Sequence, residues 1–222
     1  MTTVIVANAP DLDATPYRAL IADAGLVVAA DGGALPLMRL GMLPRVVIGD
    51  LDSLDDASQQ QLLDRRVELR RAPRAKDETD LELALLYVAA HTSGPIDVLG
   101  ALGGRWDHTL ANVGLLALPE LRGRRVRLLD DRQALYLVQG QAELSGHKGD
   151  TISLVPLTPE VQDVTTHGLL YPLDGATLRY ERARGISNVL LEPPGHVSIG
   201  AGLLLVVQHD DGGEHQWRGG AP

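Results

Sequence analysis

Short aliphatic runs at residues 3–7, 26–30, 45–48, 66–69, 96–99 and 126–129 divide the first 130 residues, with helix-like patterns between them. The runs are rich in Val, Ile and Leu and lack polar alternation, the pattern of strands buried on both faces. The intervening segments carry helix boundaries. Thr15-Pro16 reads as an N-cap with proline at the first helical position, and Gly25 closes that helix. Pro36 opens a second helix that ends at Gly41, and Ser53 caps a third running to about residue 63. Thr79 and Glu82 form a capping-box pattern ahead of the stripe Leu81, Ala84, Leu85 and Val88, and Asp107 caps a helix carrying Leu110, Val113 and Ala117. Such alternation predicts an α/β unit with a doubly wound, mainly parallel sheet whose ligands bind beyond the strands' carboxyl ends.

Beyond residue 131 the pattern changes. Runs at 134–138, 151–155, 163–166, 176–180, 189–192, 196–199 and 203–208 read as short strands separated by Gly, Pro and Asp. The expected organisation is an α/β domain over residues 1–130, an all-β sandwich over 131–210 and a tail at 211–222 read as disordered. Asp130-Asp131-Arg132 marks the junction.

Three loops of the first domain concentrate acid: Asp50-Leu51-Asp52, Lys76-Asp77-Glu78-Thr79-Asp80 and Gly103-Gly104-Arg105-Trp106-Asp107-His108. Carboxylates crowded at the end of a buried strand are costly unless neutralised, and a hard divalent cation carrying substrate phosphates is the natural partner. In an extended segment Asp50 and Asp52 point the same way and face one ion. A solvated loop in which Asp52 helps Ser53 cap a helix is the plainer alternative. Asp80 falls in a first helical turn, which favours an anion by itself; Asp77 and Glu78 beside Lys76 need a cation or a phosphate as well. Arg105, behind the glycines, is placed to meet a phosphate at a helix start. Asp31-Gly32-Gly33 follows its strand in the same fashion.

Composition narrows the classes further. A net charge of −9 argues against a nucleic-acid partner, and the run Arg122-Gly123-Arg124-Arg125 reads as solvated surface. No Cys and no Phe are present, so thiolate chemistry is excluded and the cores are aliphatic. A basic leader is lacking and no apolar stretch reaches the roughly 18 residues of a membrane span, so the expected location is cytoplasmic. There is no P-loop, no dinucleotide fingerprint, no Gly-x-Ser-x-Gly elbow and no His-x-x-x-His pair.

Taken in order, Ala30-Asp31-Gly32-Gly33-Ala34, Ile48-Gly49-Asp50-Leu51-Asp52-Ser53, Lys76-Asp77-Glu78-Thr79-Asp80, Leu102-Gly103-Gly104-Arg105-Trp106-Asp107-His108, Gly168-Leu169-Leu170-Tyr171-Pro172-Leu173 and Gly185-Ile186-Ser187-Asn188 resemble the thiamine pyrophosphokinases. The resemblance implies a homodimer whose active site lies where domains of two subunits meet. It also implies Mg²⁺-dependent transfer of pyrophosphate from ATP to the thiamine hydroxyl, giving thiamine diphosphate and AMP. On that pattern Asp50, Asp52 and Asp80 hold the metal and, with Asp107, form the catalytic set. Asp31, Gly32, Gly33, Lys76, Asp77 and Arg105 attend ATP, while Ser187 and Asn188 bind thiamine. Where some members place an aromatic ring against thiamine, residues 202–206 here are aliphatic; Tyr171 and Trp217 are the aromatic alternatives, with Tyr171 read as packing the sandwich. An Asp-dependent phosphatase and a nucleotide- or thiamine-binding sensor without turnover are the competing readings.

Overall fold

The computed structural model describes residues 1–9 and 11–211, which form two compact units meeting at Asp130–Asp131. The expected tail, Asp211 apart, and Trp217 lie outside the described residues.

In chain order the first unit contains β1 (Thr3–Val6), α1 (Arg18–Ala22), β2 (Leu26–Ala30), α2 (Ala34–Arg39), β3 (Val46–Gly49), α3 (Asp56–Asp64), β4 (Glu68–Arg71), α4 (Asp80–His91), β5 (Ile96–Leu99), α5 (Trp106–Leu115) and β6 (Val126–Leu129). The strands lie in the order β6-β5-β1-β2-β3-β4, and their pairings are parallel. Every residue of β1, β3 and β5 is buried, as expected of mainly aliphatic strands between helical layers, Thr3 and Asp97 being the buried polar members. The edge strand β4 is largely exposed and carries Glu68, Arg70 and Arg71, charges that deter edge-to-edge pairing.

Several boundaries differ from expectation for identifiable reasons. Asp55, not Ser53, caps α3, its carboxylate accepting from Ser58 N. An ionised acceptor makes the stronger cap and draws the helix start onward. Asp107 does not cap α5: Arg105 holds the cap position and Asp107 lies within the first turn. A 3₁₀ turn over Asp31–Gly33 runs directly into α2, so Pro36 sits in the first helical turn, where no donor is lost. Arg66 stands at φ 62 and closes α3 with Arg66 N→Leu63 O and Val67 N→Leu62 O, which moves β4 two residues past the expected run. Thr79 does cap α4, accepting from Glu82 N.

Arg124 is not merely solvated surface. Its guanidinium donates to the carbonyls of Thr92 and Gly94 and to Thr92 Oγ1, satisfying the C-terminal end of α4; burial holds its pKa below the usual arginine value. On the sheet, Asp97 of β5 lies opposite Arg127 of β6 and accepts two bonds from it, at 2.8 and 2.9 Å, while being 1% exposed.

The second unit contains β7 (Gln133–Val138), β8 (Gln141–Leu144), β9 (Thr151–Pro156), β10 (Glu160–His167), β11 (Ala176–Arg179), β12 (Asn188–Val189), β13 (Gly195–Ser198) and β14 (Leu204–His209). Antiparallel pairings order them as β12-β9-β14-β7 and β11-β10-β13-β8. The core between the sheets is aliphatic, built on Ile152, Leu154, Val161, Val164, Leu178, Val197 and Leu204. The strand β8 was not expected, because Gln141-Ala142-Glu143-Leu144 buries only Leu144. Among the described residues, no helix is long and apolar enough to cross a membrane.

Candidate active site

Carboxylates gather beyond the ends of β2 and β3. Oxygens of Asp31, Asp50 and Asp52 lie within 4.8 Å of one another. They do not meet in the extended way the spacing suggests: β3 ends at Gly49, and Leu51 turns into the left-handed region at φ 63 with its side chain 1% exposed. That conformation is uncommon for a bulky residue and needs support from its surroundings. Asp52 N donates to Asp50 Oδ1 at 3.1 Å, a local turn that brings the two acids together.

The support comes from residues that sequence reasoning passed over. Gln59 of α3 donates Nε2 to the carbonyls of Leu51 and Leu54, at 3.2 and 2.8 Å. Its Oε1 accepts from Arg71, whose other nitrogen donates to the Asp50 carbonyl at 3.1 Å. Asn8, just past β1, donates to Ser53 Oγ at 2.9 Å and to Asp31 Oδ2 at 3.4 Å, tying three strand ends together. A side chain on Gly49 would lie 2.9 Å from Asp31 Cβ and 3.0 Å from Asp80 Cγ, so only glycine lets those acids flank β3 so closely. An asparagine beyond β1 and a glycine before the acidic pair were the readable signals.

Asp31 is 2% exposed, at φ 45, and its Oδ1 is buried with no hydrogen-bond partner. Burial pushes its carboxyl above the usual range; hydrogen bonds from Ser53 and Gly32 oppose this, and the charges of Asp80 and Asp50 add to it. Gly32 and Gly33 are both buried, and a side chain on Gly33 would strike Val6 O at 2.0 Å. Their visible task is close packing against the end of β1.

The next loop supplies cations. Lys76 Nζ lies 2.8 Å from Asp80 Oδ1 with its side chain 13% exposed, and the Asp80 carboxylate holds the ammonium pKa above its usual value. Asp77 and Glu78 face solvent. Arg74 lies across the acidic pair, with Nη2 2.5 Å from Asp52 Oδ2 and Nε 3.6 Å from Asp50 Oδ2. This contact keeps the Asp52 carboxyl below the usual range. Thus Asp31, rather than Asp80, completes the converging trio, and Asp80 is held by Lys76. Arg105 and Asp107 pair with each other at the exposed start of α5, at 2.5 and 3.1 Å.

In the second unit, Ser187 is exposed at φ 57 and its backbone N–H donates to Ser153 Oγ. Asn188 is 5% exposed and spends its amide on backbone: Oδ1 accepts from Tyr171 N and Val189 N, and Nδ2 donates to Tyr171 O. Tyr171 is not packed in the sandwich; it is 65% exposed, next to the exposed Leu170. Leu203 is the exposed member of the aliphatic stretch, while Leu204, Leu205 and Val206 are buried.

Fold and site define a class: two-unit proteins in which a parallel α/β sheet gathers carboxylates beyond its strand ends and a separate antiparallel β unit follows. The family model for the thiamin pyrophosphokinase catalytic domain matches residues 17–128, and that for the thiamin pyrophosphokinase vitamin B1 binding domain matches residues 140–204. Thiamine pyrophosphokinase from Bacillus subtilis is 27% identical over 188 residues, covering 84% of this chain and 88% of that protein. Its crystal structure has a TM-score of 0.84 over 95% of this chain and 100% of that one. The thiamin pyrophosphokinase structure from Geobacillus thermodenitrificans is 26% identical, with a TM-score of 0.82, covering 96% of this chain and 99% of that one. Thiamine pyrophosphokinase 1 of Arabidopsis thaliana is 29% identical over 215 residues, 83% of this chain and 78% of that protein. The chain belongs to the thiamin pyrophosphokinase family, enzymes that transfer pyrophosphate from ATP to thiamine. These matches lend no support to a phosphatase or to a sensor without turnover.

Proposed function

We propose that this chain moves the β,γ-pyrophosphoryl unit of ATP to the hydroxyl of thiamine, releasing AMP, with Mg²⁺ held at the strand-end carboxylates. The observation that carries this reading is the convergence of Asp31, Asp50 and Asp52, one of which, Asp31, has a buried carboxylate oxygen that lacks a hydrogen-bond partner. The donor set fits the ion: hard carboxylate oxygens, one of them desolvated, on two adjoining strand ends. Asp50 and Asp52 would hold it, with Asp31 or the neighbouring Asp80 completing the set. Bound Mg²⁺ supplies positive charge to the phosphate oxygens of ATP.

The remaining roles fall to the chain itself. The thiamine oxygen bonds to the β-phosphorus, the bond from that phosphorus to the AMP oxygen breaks, and the hydroxyl proton leaves. Negative charge gathers on the departing oxygen, and Lys76, which lies beside Asp80, would stabilise it. Asp80 and Asp107 are the candidate proton acceptors, although a loose transition state asks little of a base. Asp31, Gly32, Gly33, Lys76, Asp77 and Arg105 make up the proposed ATP side. Ser187 meets thiamine directly, while Asn188, its amide committed, acts by bracing Tyr171, whose exposed ring is available to the heterocycle. A cytoplasmic homodimer with the active site at the subunit interface completes the proposal. Trp106 and Leu110, exposed one turn apart on α5, offer an apolar face for such a contact.

Chelation tests the metal. Turnover should vanish in excess EDTA and return with Mg²⁺; full activity in the chelator would reject the carboxylate site. Ser187→Ala tests the thiamine turn. Its KM for thiamine should rise by about tenfold, the loss of roughly one hydrogen bond, with the KM for ATP nearly unchanged. The opposite order would reject the placement.

A further inference from the structure

The loop between β4 and α4 delivers two cations to the acidic centre, and it holds them differently. Lys76 is inserted, 13% exposed and 2.8 Å from Asp80. Arg74 is draped over the rim: it contacts Asp52 at 2.5 Å and Asp50 at 3.6 Å, yet its side chain is 74% exposed. Both contacts use the Oδ2 atoms of Asp50 and Asp52, lone pairs that a divalent ion bound by these acids would also need. Two cations cannot share those oxygens at full strength, and an exposed ion pair is weak enough to be displaced. Once displaced, the guanidinium remains tethered beside the centre, where the anions within reach are nucleotide phosphates. Its planar fork of donors suits them.

We infer that Arg74 is an exchangeable cation, neutralising Asp50 and Asp52 until the metal arrives and then passing to the phosphates of the bound nucleoside triphosphate. This rests on the reading of Asp50 and Asp52 as metal ligands. The inference has an unusual signature, since removing Arg74 must tighten the metal and loosen the nucleotide. A residue that only braced the loop would weaken both.

The test uses the full-length protein with two probes, each read by binding and not by turnover. Mn²⁺ affinity is measured by electron paramagnetic resonance of the free ion, without nucleotide. Affinity for α,β-methylene-ATP, which cannot be cleaved between the α- and β-phosphorus, is measured by calorimetry in saturating Mg²⁺. In Arg74→Gln the Mn²⁺ dissociation constant should fall by about two- to fivefold and that of the analogue should rise by a similar factor. Arg74→Lys, which keeps the charge without the fork, should fall between Arg74→Gln and the wild type. Arg70→Gln makes the same change of net charge at a guanidinium engaged with Glu68 and Tyr87, and it should alter neither constant. Equal shifts in Arg70→Gln would reduce the effect to net charge and overturn the exchange. Unchanged or weaker Mn²⁺ binding in Arg74→Gln, with normal binding in the wild type, would overturn it while leaving the metal site standing. A wild type that binds no Mn²⁺ would overturn both.

Discussion

Asp50→Asn should lower kcat by on the order of 10²-fold or more, equivalent to about 2.7 kcal/mol of barrier, without unfolding the protein. The substitution keeps the shape of the side chain and removes one of three carboxylates whose oxygens lie within 4.8 Å of each other. The variant gives up the exposed pairing of Asp50 with Arg74, which is worth little, and relieves repulsion with the buried Asp31, so it should be about as thermally stable as the wild type. Activity and stability should therefore move apart: the melting temperature holds while turnover collapses. Steady-state kinetics and a thermal melt on the same preparation check both halves. A kcat within about threefold of wild type would remove Asp50 from the proposed centre.

Asp97→Ala should have the largest effect on stability. Asp97 is 1% exposed in the middle of the sheet and accepts two bonds from Arg127 on the adjoining strand. Removing the carboxylate strips a largely desolvated guanidinium of its bidentate partner, a change that typically costs about 3–5 kcal/mol. That is a large part of what holds a typical domain together. Replacing both residues, as Asp97→Leu with Arg127→Met, should recover part of the loss, because the carboxylate and the guanidinium that donates to it are then removed together. Urea unfolding followed by circular dichroism compares the three proteins. A single variant within about 1 kcal/mol of wild type would mean that the pair is surface-like in energy despite its burial.

These two residues illustrate what can be read from the chain before it folds. The parallel sheet was legible because strands such as β1, β3 and β5 must be largely apolar on both faces, and that demand is written as aliphatic-rich runs. Asp97 breaks one such run, and its meaning appears only when the register sets it against Arg127. The acidic loops were legible as loops. That carboxylates would converge on one ion was expected, but the way they do so was not, because it depends on left-handed residues at Asp31 and Leu51 that no periodicity announces. The braces were hidden for a related reason: Gln59, Arg71 and Asn8 lie on three different elements and meet only through the fold. In the second unit, the motif marks Asn188 as a thiamine residue but does not announce that it is buried with its amide bonded to the Tyr171 backbone. Short polar strands such as β8 escaped because one buried leucine is too little pattern to detect.

Phosphorus NMR of the complete reaction tests the proposed chemistry most directly. Purified protein is supplied with ATP, Mg²⁺ and thiamine, and the products are followed together. The account predicts that thiamine diphosphate and AMP accumulate in equal amounts while ADP and free phosphate stay at background. ADP formed with thiamine monophosphate, or free phosphate released without a thiamine product, would place the broken bond elsewhere and contradict it.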